Sequence, residues 1–448
     1  MWLTDPSFRR DIFAKYPWLG RLFQGRSFHL SVRIFGDAVF TCIIVLGLFG
    51  PQEPGHNIVL FLAWGIWWPS VVLSWFFLGK MWCGFCPFPG IGRILRRFGL
   101  GLDLTPPAWL RRYGVRIAVL GLALIFLLEG ATGLTQSPRD TALLMLAILA
   151  GATLSGLLFE QKIWCMYLCP MGRIIGQAAT ISMTEFRSDP ALCRECATLD
   201  CKKGRDGLKG CPVNLGAIGV RNSLGCHVCG YCMKLCTKGS PSLWLRSPFA
   251  ELIRNKGKYM ACTWLLPVLA GSQLVRFLEE TTHPLGWICT SGGLCYMLLY
   301  AALFALAIVY VEAMIRLGDM AFGVNKDPIL GRLSPTVPVI FPLAVTGELV
   351  YRLGYFLVEV PDALPTLGRQ FGFTAPVWDW GGVAAAFPYM EGVLLFLGFL
   401  AGTHVLNRLA LDEFPDLVSP LRRRTLLVLN AVILATYVAV LHPGWLGL

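Results

Sequence analysis

The sequence predicts an all-α polytopic membrane protein of about nine transmembrane helices, interrupted by one small cysteine-rich segment. Three observations carry that prediction. The chain is 55% hydrophobic and 15% charged with a mean hydropathy of +0.60, too apolar for a soluble chain of 448 residues. Its basic residues divide very unevenly between alternate loops, and eight of its 16 cysteines fall between Cys193 and Cys236, outside any apolar run.

Nine stretches are long and apolar enough to cross about 30 Å of hydrocarbon as helices of roughly 20 residues. They lie near 34–50, 57–79, 113–134, 141–159, 260–278, 293–315, 335–358, 383–402 and 425–441. Lys and Arg beside a span are retained on the cytoplasmic side. Of the 39 basic residues, 34 fall in the N-terminal arm and the 80–112, 160–259, 316–334 and 403–424 segments. The opposite side holds or borders Arg139, Arg276 and Arg369, while Arg116 and Arg352 fall inside spans. The expected topology, in a bacterial inner membrane, is therefore N-terminus inside and C-terminus outside. The net charge of +12 is then mostly a topology signal. Nucleic-acid binding is not indicated, since no basic run interleaves with aromatic residues on a soluble face.

Residues 1–33 lack the apolar core of a cleavable signal peptide. With Phe8, Ile12, Phe13, Tyr16, Trp18, Leu22 and Phe23 among Arg9, Arg10, Lys15 and Arg21, they read as an amphipathic cytoplasmic arm on the membrane surface, or equally as an ordinary packed helix. Residues 34–179 follow as duplicated two-helix membrane units, 180–259 as the cytoplasmic cysteine-rich segment, and 260–448 as a C-terminal membrane region of about five helices.

The cysteine-rich segment contains two runs, C-x-x-C-x4-C-x9-C-P from Cys193 and C-x-x-C-x-x-C-x-x-x-C from Cys226. This is two-cluster ferredoxin spacing, in which a tight loop gives three thiolates to one cubane and a remote fourth to the other. It assigns Cys193, Cys196, Cys201 and Cys236 to one [4Fe–4S] cluster, and Cys226, Cys229, Cys232 and Cys211 to a second. A four-thiolate zinc site would want two C-x-x-C pairs, not a triple run with a remote fourth cysteine.

A second cysteine set is duplicated. The segments WCGFCPFPGIGRI (82–94) and WCMYLCPMGRII (164–175) each follow a pair of spans and emerge on the cytoplasmic side. A parallel repeat packs around an axis along the membrane normal, which would bring Cys83 and Cys86 opposite Cys165 and Cys169. Four thiolates at the membrane boundary suit a third Fe–S cluster, zinc or Cu(I).

In these motifs and their order, Cys83/Cys86-Pro87, Cys165/Cys169-Pro170 and then the ferredoxin segment, the chain resembles the NapH/NosR/CcoG-type membrane polyferredoxins, including the NapH-like proteins of methylamine-utilisation clusters. The resemblance covers roughly residues 35–260. It implies electron transfer between the quinone pool or a cytoplasmic donor and a redox partner protein in a membrane complex, through two cytoplasmic [4Fe–4S] clusters. The first motif has two residues between its cysteines where the family's usual form has three, and Thr237 stands where proline usually follows the last ferredoxin cysteine. Neither the N-terminal flavin domain of NosR-like members nor the soluble C-terminal domain of CcoG-like ones is expected from these 448 residues. About five further spans take their place.

Ionisable residues inside spans are costly and default to functional candidates. Glu129, Glu348 and Glu391 are the candidates for a quinone and proton site, since quinol oxidation releases two protons with two electrons. The plainer alternative is an interhelical hydrogen-bonding carboxylate. On the outside, Cys289 and Cys295 read equally as a disulfide or as two helix-end thiols, and Cys42 and Cys262 read as buried thiols. Three functions follow in order: an iron–sulfur electron-transfer subunit, a CcoG-like copper reductase acting at the four-cysteine site, and a redox-gated transporter or sensor.

Overall fold

The computed structural model describes residues 5–159, 162–254, 260–289, 293–321, 334–412 and 419–446. Long apolar helices dominate it. Among the described residues, seven are long and apolar enough to cross a membrane: Leu30–Phe49, Ala108–Ala131, Pro138–Leu158, Leu294–Met320, Val337–Phe371, Gly381–Leu409 and Pro420–Leu441. The two remaining expected spans are also helical and are not among these seven. The helix Phe61–Phe77 is apolar but short, and the 23-residue Met260–Thr282 carries Arg276, Glu279 and Glu280 near its end.

The chain forms two compact units: residues 1–45, 74–118 and 142–251 in the first, and 46–73, 119–141 and 252–448 in the second. This grouping differs from the sequence-based boundaries at 179 and 259, because it divides the first four long helices between the units.

In the first unit, Pro241–Arg246 is the central strand of an antiparallel sheet, with Arg9–Asp11 on one side and Thr184–Ser188 on the other. Side chains alternate across a strand, so Phe186 and its partner Leu243 face a core shared with Phe13, Phe23, Cys201, Val228, Cys232 and Met233. On the opposite face, the Arg246 guanidinium donates to Glu185 at 2.9 Å and to Glu251 at 2.6 Å. Arg187 donates to Glu251 at 2.7 Å. Burial raises the Glu251 carboxyl, but Arg246 and Arg187 together hold it below the ordinary value. It accepts from Ser223 N–H at 2.7 Å and Ser223 Oγ at 2.6 Å, which ties down the loop leading into Cys226.

The N-terminal arm packs in part on protein, while Tyr16, Trp18 and Leu22 are exposed. Arg9–Asp11 is an edge strand of this sheet, and Phe13 and Phe23 are buried in the core beneath it. An amphipathic helix needs only an apolar partner. Here the partner is protein.

In the second unit, Val337–Glu359 packs along Gly381–Asp412. The approach is close at Gly402, where a Cβ would lie 2.2 Å from the Val339 carbonyl oxygen, as small residues permit between membrane helices. Cys289 and Cys295 form a disulfide. Cys42, in the first unit, is exposed along its helix and not buried, while the side chain of Cys262 lies outside the described residues.

Candidate metal centres

The first Cys-Pro motif is built on a four-residue helical turn, Trp82–Phe85. The second is a π-helical turn, Trp164–Leu168, in which Cys169 N–H donates to Trp164 O at 2.7 Å across five residues. A π-turn absorbs one extra residue in a helix. The spacing difference between the two motifs is therefore taken up locally, and both end in a Cys-Pro step. Cys169 caps the following helix, Pro170–Ala178, its Sγ accepting from Gly172 N–H at 3.2 Å with Pro170 in the first turn. Proline suits that position because its missing N–H would have no helical partner.

The four thiols are neighbours. Burial pushes Cys86 well up, and Cys165, Cys169 and Cys83 each push it further. Burial raises Cys83 to about 11 and Cys169 to about 12. All four thiols are partly buried and shifted upward, which favours the protonated form, whereas a metal ligand must be the thiolate. Lys80, fully buried, stands among them: burial lowers its ammonium, and the nearby Cys83, Cys165 and Cys169 oppose that shift. Lys162, Arg93 and Arg173 add positive charge around the same set. A cubane with four thiolates carries net negative charge, so four neighbouring half-buried thiols among cations fit it.

In the ferredoxin segment, Cys211, Cys226, Cys229 and Cys232 line one cavity with His227 and Tyr231. Cys226 Sγ accepts from Val228 N–H at 3.4 Å. Val228 has φ of +50°, a left-handed conformation costly for a β-branched residue, and it bends the chain between two of these thiols. Burial raises Cys226 to about 12, and raises Cys232 well up with help from Cys226, Cys229 and Cys211. In the other set, Cys201 Sγ accepts from Ala217 N–H at 3.3 Å, and Cys193 lies 3.4 Å from Ser240 Oγ. Cys201 is raised by burial, with smaller contributions from Cys236 and Cys193. Cys196 stands apart, its thiol lowered by the Leu199 and Thr198 backbone and hydroxyl groups. Among the described residues, no three His, Cys, Asp or Glu side chains converge in full ligating geometry. Binding a cluster would require the thiols to draw in.

The intramembrane carboxylates have other partners. Glu129 accepts from Arg352 Nη2 at 2.9 Å, and Glu348 accepts from Arg352 Nε at 2.8 Å and Arg276 Nη2 at 2.7 Å. Arg276 Nη1 lies 3.5 Å from Glu129, closing a ring of four charges. Trp68 Nε1 also donates to Glu348, at 3.1 Å. Arg276 is thus buried within its helix and not a flanking loop residue. His442 Nε2 lies 3.2 Å from Glu391 Oε2, and His442 stacks on Trp445 with ring centroids 4.1 Å apart.

Sequence reasoning missed Lys80, His227 and both arginine partners. A lysine three residues before a cysteine motif was the available signal for Lys80. For Arg276, the signal was an acidic residue at matching depth in another span.

A family profile described as a 4Fe-4S binding domain matches residues 60–107 and 141–178, which contain both Cys-Pro motifs. With the apolar helices, this fits a membrane polyferredoxin, a membrane-integral iron–sulfur protein. Among curated proteins the chain is similar to protein NirI of Paracoccus denitrificans (strain Pd 1222), 26% identical over 196 residues. That match covers 39% of this chain and 27% of NirI, so the chain spans about a quarter of the relative it matches. No solved structure matches the chain.

Proposed function

We propose that this protein is an electron conduit with three iron–sulfur centres, two held by the ferredoxin cysteines and a third by Cys83, Cys86, Cys165 and Cys169, linking the quinone pool or a cytoplasmic donor to a partner protein. The mutual proximity of the four half-buried motif thiols, among Lys80, Lys162, Arg93 and Arg173, supports this reading. Bound clusters supply the one-electron chemistry; the chain supplies spacing and electrostatics. The surrounding cations stabilise the reduced, more negative form and so raise its potential. For the quinone branch, Glu391 with His442 is the pair available to take a proton, because Glu129 and Glu348 are already engaged by arginines.

Purified full-length protein should contain about twelve irons if the third centre is a cubane. Cys229→Ala should remove roughly four of them and leave the other centres visible by electron paramagnetic resonance. Eight irons with one copper would give the boundary site to copper, and no loss of iron in Cys229→Ala would sink the ferredoxin assignment.

The same reading places the clusters in the cytoplasm and the C-terminus across the membrane. A reporter active only outside the cytoplasm should work when fused after Leu448, and one active only in the cytoplasm should work near Lys203. Both positions on one side would overturn that topology.

A further inference from the structure

We propose that the centre held by Cys83, Cys86, Cys165 and Cys169 exchanges electrons directly with the Cys211–Cys226–Cys229–Cys232 centre alone, so that the three centres form a line, and that Gly84 sets the closeness of that junction. This rests on the reading above that the four motif cysteines hold a centre.

Three contacts place the two sets together. Gly84 lies between Cys83 and Cys86, and a Cβ there would stand 2.7 Å from the His227 carbonyl oxygen, 3.2 Å from Cys229 Cα and 3.4 Å from Cys229 Cβ. The backbone of the first motif therefore touches the backbone of the loop that carries Cys229, at a distance only glycine allows. In the second motif's helix, a Cβ on Gly176 would lie 2.9 Å from Leu224 O and 3.2 Å from Lys80 Nζ. Lys80 Nζ donates to that same Leu224 carbonyl, two residues before Cys226. Finally, Lys162 N–H donates to Pro212 O at 3.4 Å, next to Cys211. The stretches that carry Cys211, Cys226 and Cys229 are thus seated on one of the duplicated motifs or on a residue leading into it.

The contacts of the other ferredoxin set run elsewhere: Cys193 to Ser240, Cys196 to Thr198 and Cys201 to Ala217. Cys201 and Cys232 share one apolar core, which joins the two ferredoxin sets to each other. Electron tunnelling falls off exponentially with the gap between centres. The order is then Cys193 set, Cys226 set, Cys83 set. Each step takes one electron from one centre and gives it to the next, with no atom transferred.

The test is magnetic coupling in the dithionite-reduced full chain, read as relaxation enhancement of the boundary-centre signal. Enhancement should survive Cys236→Ser, vanish in Cys229→Ser, and weaken in Gly84→Ala with iron content and boundary potential unchanged. Loss in Cys236→Ser together with survival in Cys229→Ser would overturn the order, and an unaltered coupling in Gly84→Ala would overturn the role of Gly84. Where a variant cannot be purified, pulsed dipolar spectra of the unmodified chain must show one near and one distant neighbour for the boundary centre. Two equal distances would overturn the line. Eight irons and no boundary signal in the unmodified chain would instead remove the third centre itself, a result distinct from twelve irons coupled in another order.

Discussion

Arg352→Gln should destabilise the protein by about 3–5 kcal/mol, the cost of leaving one buried charge without its partner. Glu129, Glu348, Arg276 and Arg352 have side-chain exposures of 0–2% and form a ring whose two negative and two positive charges cancel. Aromatic faces enclose it: Arg352 lies 4.4 Å from the Trp68 ring centroid and Arg276 lies 4.1 Å from that of Tyr351. Within a membrane, the alternative partner is hydrocarbon and not water, so a net charge has nowhere to go. Removing Arg352 leaves two carboxylates facing one guanidinium. Glu129→Gln leaves the opposite imbalance and should cost a similar amount. The double variant Glu129→Gln with Arg352→Gln restores neutrality, since Glu348 and Arg276 remain paired at 2.7 Å. It should therefore be more stable than either single variant, a strong departure from additivity. Thermal unfolding in detergent of the wild type, both singles and the double measures this directly. Losses that simply add would mean that the four residues do not act as one unit.

The ring also shows where sequence reasoning reaches its end. Glu129 and Glu348 were legible as unusual, because a carboxylate in an apolar run is expensive wherever it sits. Their partners were not. Arg276 lies near a span end, and loop-by-loop charge counting treats such a residue as a flank. Only the three-dimensional arrangement shows that its guanidinium turns back to a carboxylate 147 residues away in sequence. The cysteines behaved differently, since thiolate spacing for a cluster is set by local loop geometry and survives as a pattern in the chain. Cys211, Cys226, Cys229 and Cys232 all line one cavity. The N-terminal arm marks the opposite case: its apolar stripe was visible, but a stripe does not say whether lipid or protein covers it. The pairing of Arg9 with Arg246 is a contact that no local period encodes.

The four motif cysteines offer the sharpest remaining test. If Cys83, Cys86, Cys165 and Cys169 hold one centre, each single Cys→Ala variant leaves an incomplete thiolate set. All four should then lose the same roughly four irons and the same fraction of electron transfer, while the ferredoxin centres, whose eight ligands lie elsewhere, stay visible. The motifs enter the site through different local geometry, an α-turn at Trp82–Phe85 and a π-turn at Trp164–Leu168. A purely structural role would follow that difference, with Cys169, which caps a helix through Gly172, the most damaging to lose. A shared centre predicts equality instead. It also predicts that Cys83→Ala combined with Cys165→Ala is no worse than either alone, because groups that act as a unit are strongly non-additive. Unequal, additive losses across the two motifs would divide the site in two, and the third centre would have to be given up.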